Sequence, residues 1–343
     1  PPIASAKEED ATKISIGFSP KIRPQPTYPS VFAIAKIFVH DVFWQAGFVS
    51  KCIQCMACVE RLVAKPSHPL LPPPPPPELF SCAVGTVIFY LLFDSYVAAF
   101  QYCMDAGMSK ATFFCVMTSV SHSICYIGFN LVFEAFDRFK VFQQYKLLRK
   151  PYQNATSSLR WKCWIEASIG QIITSPLSAY YLYPAFCYFG MYDFDTPNPG
   201  ALDLFITFST AHIFNDLGFY WTHRLAHSKW IYQKIHKQHH QFSGTIGFAA
   251  EYAHPVEQIV CNQLPTIGGV LFFGSHPLCV WIWIALRLQQ TYEAHSGYCF
   301  EGSLLAKLGF MHCDSAAFHD HHHTVNKGNF GTTYVSVHSL LSS

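Results

Sequence analysis

Two stretches of this chain leave few options for its fold. Residues 79–101 and 111–133 each run for about 23 residues, the first with Asp94 as its only charge and the second with none. About 20 apolar helical residues cross the hydrocarbon core of a bilayer, so both are predicted to be membrane-spanning helices. The rest of the chain agrees. Half of its residues are hydrophobic and 13% are charged, against about 25% charged in an ordinary soluble domain. Disorder needs low hydrophobicity and high net charge, which excludes it for most of the chain. A net charge of +2, with no long basic stretch free of apolar neighbours, argues against a nucleic-acid partner.

Ahead of these spans the sequence changes character. Residues 1–30 are polar and aperiodic, and 31–50 are apolar but broken by Lys36, His40 and Asp41. Cys52, Cys55 and Cys58 form a C-x-x-C-x-x-C run, but the fourth cysteine that an iron–sulfur cluster would use at short spacing is missing. A polyproline linker follows at 72–77. Residues 1–78 are therefore expected to be a poorly ordered lead carrying unligated thiols. The thirteen cysteines are scattered and odd in number. Several, such as Cys82, Cys115, Cys125 and Cys187, sit in apolar stretches where a thiol behaves as a small hydrophobe. A reducing, cytosol-facing setting is expected. No secretory signal opens the sequence, which begins at Pro1 and is read as starting at an internal or processed position.

Beyond the spans, Arg138, Lys140, Lys146, Arg149, Lys150, Arg160 and Lys162 fall in one loop with no acidic residue among them. The positive-inside rule places such a loop in the cytosol. Residues 163–192 are apolar and interrupted at Ser175-Pro176, which predicts a tilted span or a bent hairpin. After the breaker-rich turn D-F-D-T-P-N-P-G (193–200), residues 201–221 return, and 256–288 hold two shorter apolar pieces. If 163–192 crosses once, every histidine cluster lies at the cytosolic face. The sequon at Asn154-Ala155-Thr156 is then expected to stay unglycosylated.

The histidines carry the chemistry. Of 18 in the chain, 13 lie between His223 and His323. His223 and His227 are four apart and share a helix face. His236, His239 and His240 repeat the device at i, i+3 and i+4, so three rings are expected to converge on one point. His319, His322 and His323 have the same spacing, with His321 turned away. Burying eight imidazoles beside a membrane is costly unless something satisfies their nitrogens, and metal does so. Eight exceed the four ligands of a lone structural zinc, whereas two metals with three to five nitrogens each fit the count. Zinc-protease chemistry would need H-E-x-x-H, but Arg224 follows His223. Two irons acting with dioxygen on an apolar substrate fit the site and its setting; spacing alone admits zinc in the same cage. His212, Asp216, Tyr220, His223 and His227 form one helical stripe, which makes Asp216 a candidate to orient a ligand through its other ring nitrogen. Glu251 and Asp320 are candidates of the same kind. His254 beside Pro255 is either a ligand-side residue or a helix-start histidine, and His276 and His312 are read as loop residues.

The chain resembles the membrane fatty acid hydroxylase/sterol desaturase superfamily, with C-4 methylsterol monooxygenases as the nearest branch. The resemblance rests on F-Y-W-T-H-R-L-A-H (219–227), I-H-K-Q-H-H (235–240), A-E-Y-A-H-P (250–255), R-L-Q-Q-T-Y-E-A-H-S-G-Y (287–298), F-H-D-H-H-H (318–323) and G-N-F-G (328–331). It covers about residues 125–333 and not 1–78. It implies an all-α, multi-span membrane helical bundle, with 79–133 as spans and 134–343 as the catalytic domain. It further implies metal ligation by His223, His227, His236, His239, His240, His319, His322 and His323, with His295 as a ninth ligand. The implied activity is a non-haem di-iron monooxygenase of the endoplasmic reticulum membrane, its metal site facing the cytosol. Its substrate would be the C-4 methyl group of a sterol, with O2 as oxidant. Electrons would come from NAD(P)H through cytochrome b5 and its reductase, since the chain has no G-x-G-x-x-G motif of its own. A sister lipid hydroxylase, a sterol C-5 desaturase, or a truncated, non-catalytic metal-binding membrane protein are the competing readings. The last arises because the tail 332–343 lacks the family's usual ending; it also lacks a dilysine retrieval signal, so the endoplasmic reticulum location rests on the resemblance.

Overall fold

The computed structural model describes residues 77–312 and 315–331, all in one compact unit. The expectations for the lead, its cysteine run and polyproline, and for the tail 332–343, lie outside the described residues. Among the described residues the chain is helical, with one isolated β-bridge, Lys146 to Tyr298.

The two predicted spans are α1 (Pro77–Asp105) and α2 (Lys110–Phe139), each longer than the apolar core that announced it. Gly107, with φ +83°, makes the turn between them. Ser109 then caps α2 by accepting the Thr112 N–H at 3.1 Å. Both helices are long and apolar enough to cross a membrane, yet only 22% of the apolar window in each is buried. Val87, Leu91, Ile124 and Leu131 point outward. A soluble protein's core helix would be buried all round, so the exposed apolar faces suit lipid.

Residues 163–192 do not form the bent hairpin; a continuous helical path runs through the Ser175-Pro176 interruption. α3 (Ser157–Ile169) passes through a π-turn at Gly170–Thr174 directly into α4 (Ser175–Tyr188). The wider turn accommodates Pro176, which has no N–H to give and whose ring would crowd a regular preceding turn. α5 (Ala201–Ala226) follows, then α6 (Leu264–Phe272), α7 (Pro277–His295) and α8 (Ser315–Val325).

Helix directions bring the boxes together. α1 runs against α5: Ser209 contacts Cys82, and Tyr96 reaches the Phe194 carbonyl ahead of the α5 start. α5 and α7 run alongside each other in the same sense, with His212 against Trp283 and Asn215 accepting from Arg287. α2 shares that sense, because Trp281 meets Thr118 and Tyr292 meets Tyr126. α2, α5 and α7 thus finish at one end. The basic loop after α2 lies there too, pinned by the Lys146–Tyr298 bridge and by Arg149 on Asp320 of α8. Between α5 and α6 the backbones nearly touch: a Cβ on Gly269 would come within 2.5 Å of the Ala211 Cα. Only glycine permits that approach.

Candidate metal centre

At the shared end of α2, α5 and α7, nine histidines form two adjacent groups. His223, His227, His236, His240 and His322 make the first, and His239, His295, His319 and His323 the second; within each group the ligand atoms lie within 4.8 Å of one another. All nine sequence candidates are present, five and four per group. His321 is exposed, as its position on the helix required.

One expectation is corrected. The rings of a single box do not converge on one point. The second box is not a regular helix: a π-turn at Tyr232–His236 is followed by a 3₁₀ turn at His239–Gln241. This sends His236 and His240 to the first group and His239 to the second. On α8 the same division occurs within regular helix, with His319 and His323 on one side and His322 on the other. The second and third boxes therefore each stitch the two groups together, while His223 and His227 of the first box both serve the first group.

The proton positions follow from the partners. His223 donates Nδ1–H to the Phe330 carbonyl (3.0 Å), His239 to Tyr252 (3.3 Å), His295 to Thr291 (2.8 Å), His322 to Gly328 (2.6 Å) and His323 to Phe242 (2.9 Å). His236 donates its Nδ1–H to the Glu257 carboxylate at 2.7 Å. The G-N-F-G turn supplies two of these carbonyls, and it doubles back through left-handed backbone at Gly328 (φ +68°) and Asn329 (φ +52°). A neutral imidazole has one N–H, so each of these six rings presents a bare lone pair at Nε2.

Those lone pairs face one another. His227 Nε2 sits between His322 Nε2 (3.1 Å) and His236 Nε2 (2.9 Å), and one proton on His227 can serve only one of them. In the second group, His295 and His239 oppose lone pairs at 3.4 Å. His319 Nε2 meets those of His295 (2.8 Å) and His323 (3.1 Å). Lone pair against lone pair is repulsive unless a cation lies between. The residues therefore fit two metal ions, and an all-imidazole donor set suits iron, zinc, copper or nickel.

Burial, reinforced by neighbouring rings, keeps the imidazoles neutral. It holds His239 down to about 4 and His295 and His322 to about 3, and pushes His223, His319 and His323 well below the usual range. In the metal-free protein the unfolded chain, with ordinary histidines near 6.5, binds more protons than the folded one between about pH 4 and 6.5. Stability must rise with pH across that window, by ~1.4 kcal/mol per pH unit for each proton of difference. The apo protein is thus expected to melt at lower temperature at about pH 5.5 than at neutrality. The loaded protein should release metal in the same direction, because the ligands must be neutral to bind. A thermal melt independent of pH in this range would refute the neutral cage.

Of the four candidates for orienting ligands, Glu251, His254 and Asp320 bind groups other than the ligand rings. Asp216 is buried on the predicted α5 stripe and accepts from Asn215 Nδ2 at 3.2 Å. Glu251 accepts from Gln171 (2.8 Å) and Tyr292, and its Oε1 lies 3.0 Å from His122 Nε2. Its neighbour Tyr252 holds His239. Asp320 accepts from Arg149 and from the Thr245 N–H at 3.0 Å, fixing α8 between His319 and His322. His254 caps a short helix by accepting the Val256 N–H, outside both groups. His276 caps α7 in the same way, buried among Phe89, Phe93 and Tyr96. Sequence reasoning missed Glu257, the carboxylate on His236. Its only signal was an acid at the start of an otherwise apolar stretch.

Comparison with known proteins agrees with this geometry. Residues 208–341 match the fatty acid hydroxylase family. A Dictyostelium discoideum protein named as a candidate methylsterol monooxygenase is 32% identical over 66% of this chain and 82% of its own length. A very-long-chain aldehyde decarbonylase of Oryza sativa subsp. indica is 32% identical over 66% and 84%. A methylsterol monooxygenase of Arabidopsis thaliana is 32% identical over 64% and 82%. No solved structure matches the chain.

Proposed function

Because the chain belongs to the fatty acid hydroxylase family, we propose that it is a membrane non-haem di-iron monooxygenase oxidising the C-4 methyl group of a sterol. The observation that carries this reading is the pair of histidine groups whose lone pairs converge at one end of exposed apolar helices. Two iron ions, when bound, would supply the reductive activation of dioxygen. The net first step is R–CH3 + O2 + 2e⁻ + 2H⁺ → R–CH2OH + H2O, and further rounds carry the alcohol to aldehyde and carboxylate. The chain's part is to fix geometry and exclude water. Carbonyls and Glu257 keep the proton of six of the nine rings at Nδ1, so their Nε2 stays available to metal. The buried rings keep bulk water from the reacting face.

The sterol would enter sideways from the bilayer. Electrons would come from NAD(P)H through a reductase and cytochrome b5, for which Arg224, Lys229, Lys234 and Lys237 offer an exposed basic face beside the site. We place the enzyme in the endoplasmic reticulum membrane as a multi-pass protein with its metal end in the cytosol, on the side of the basic loop. In an expressed chain the Asn154 sequon should remain unmodified, and a glycan there would overturn this orientation.

A second reading, decarbonylation of a very-long-chain aldehyde, is favoured by the decarbonylase relative at equal identity. Lipid profiling of cells depleted of the protein separates the two. Accumulated 4-methyl sterols are expected; unchanged sterols with altered sphingolipids, ether lipids or aldehyde-derived hydrocarbons would sink the sterol assignment.

A further inference from the structure

The two histidine groups are not equivalent. The first offers five donors and the second four, so an ion in the second keeps one more position for a ligand from outside. Their surroundings differ in the same sense. Two part-exposed aromatic rings pack on the first group. Phe330 lies against His223, His227 and His322, with ring centroids 5.7, 5.0 and 5.7 Å apart. Tyr232 lies against His227, His236 and His240 at 5.5, 6.1 and 5.7 Å. Together the two rings touch all five ligands of that group. His227, the one ligand of the nine that is not buried, lies against both. Phe219 adds a third ring on His223 at 5.0 Å. Among the described residues, the ring contacts of His239, His295, His319 and His323 are with other histidines of the cage alone.

Local backbone choices put the cover there. Just past α8, Asn326 donates its N–H to the His322 carbonyl at 2.7 Å and turns left-handed, with φ +58°. Asparagine tolerates that region better than most residues. The chain then folds back on α8, where Asn329 Nδ2 donates to the Phe318 carbonyl at 3.2 Å. This return carries Phe330 to the histidines, and its carbonyl takes the His223 proton. Tyr232 opens the π-turn that ends at His236. Its hydroxyl donates to Asn326 Oδ1 at 3.3 Å, so one asparagine ties rings from two separate segments together. Side chains packed at the density of a protein interior leave few gaps as large as a small molecule, and the outer side of the first group is closed in this way.

We infer that Tyr232 and Phe330 form an aromatic cover that shuts the first metal position to ligands from outside, and that a small diatomic of the dioxygen class binds at the second group. This rests on the two-metal reading and deepens it, because the two positions then differ in what they admit.

The probe is nitric oxide, titrated without air against the ferrous-loaded full chain in lipid nanodiscs. The readouts are nitric oxide bound per chain, from the absorbance of the ferrous nitrosyl, and iron per chain. The parent should bind one nitric oxide for its two irons. His240→Ala, left with the second ion, should keep that binding, and His239→Ala, left with the first, should lose it. Tyr232→Ala and Phe330→Ala should raise the count to two at unchanged iron. Tyr232→Phe keeps the ring and should stay at one. A parent that binds two or none, or one that survives in His239→Ala, overturns the inference without recourse to the cover variants. A count that stays at one in both alanine variants, with iron retained, overturns the cover. An alanine variant that sheds iron is replaced by leucine at the same position and judged by the same count. None of these counts involves a lipid substrate, so a failed sterol assignment leaves them standing. A chain that takes up no iron removes the di-iron reading; azide binding to the cobalt-loaded chain, read from its visible absorbance with the same counts expected, then decides the cover.

Discussion

His240→Ala should remove one metal ion and leave the other, and His239→Ala should do the same to its neighbour. The two residues are adjacent in sequence, but the 3₁₀ turn sends their rings to different groups. Metal per chain, measured by elemental analysis, is expected to fall from two to one in each variant. The double variant should bind little or none. Activity should fall in both single variants by more than the about 10- to 100-fold typical of losing an outer partner, because the proposed reaction draws on both ions. Were the second box a plain helix feeding one ion, the variants would lose the same metal and the double variant would retain the other. Chelation of the parent should reproduce the double variant and be reversed by added iron.

Glu257→Leu is expected to weaken the first ion about 10- to 100-fold without touching the second. Glu257 accepts the His236 Nδ1 proton inside a buried contact. Without that acceptor an Nδ1–H would be buried unpaired, which favours the Nε2–H tautomer that blocks the metal-facing lone pair. Glu257→Gln keeps an acceptor oxygen and should retain most of the affinity. Metal titration of the apo protein, with a spectroscopic probe of each ion, distinguishes the outcomes. Equal loss from both variants would point to charge rather than tautomer, and no loss from Glu257→Leu would remove the carboxylate from the design.

The histidine set was legible because ligand spacing on a helix is a local property. His223 and His227, or His319 and His323, declare a shared face without knowledge of the fold. The spans at 79–101 and 111–133 were legible for the same reason, since length and apolarity are read one segment at a time. The assignment of rings to ions was not. It depends on a π-turn at Tyr232–His236, a backbone choice that the composition of Y-Q-K-I-H does not announce. Glu257 escaped because its partner is 21 residues away, across a turn that only the folded chain closes. His312 and His276 read as ordinary loop residues; their burial is tertiary. The bent-hairpin alternative at Ser175-Pro176 arose because a proline normally breaks or kinks a helix, and the π-turn at Gly170–Thr174 removes that cost locally.

Five of the six Nδ1 protons are held by main-chain carbonyls, those of Phe242, Tyr252, Thr291, Gly328 and Phe330. A carbonyl is present whatever the side chain. Apart from Gly328, whose left-handed backbone favours glycine, the identities of these residues can therefore drift as long as the path of the backbone is kept, and the electronic setting of the cage drifts little with them. Such a centre is insulated from changes in the lining around it. A lineage can reshape the pocket for a new lipid by ordinary substitution while the oxidising machinery is inherited intact. That relatives named for methylsterols and for very-long-chain aldehydes are equally similar to this chain is what such insulation would produce. Among these six rings Glu257 is the exception, the point where a side-chain change would be felt at the metal.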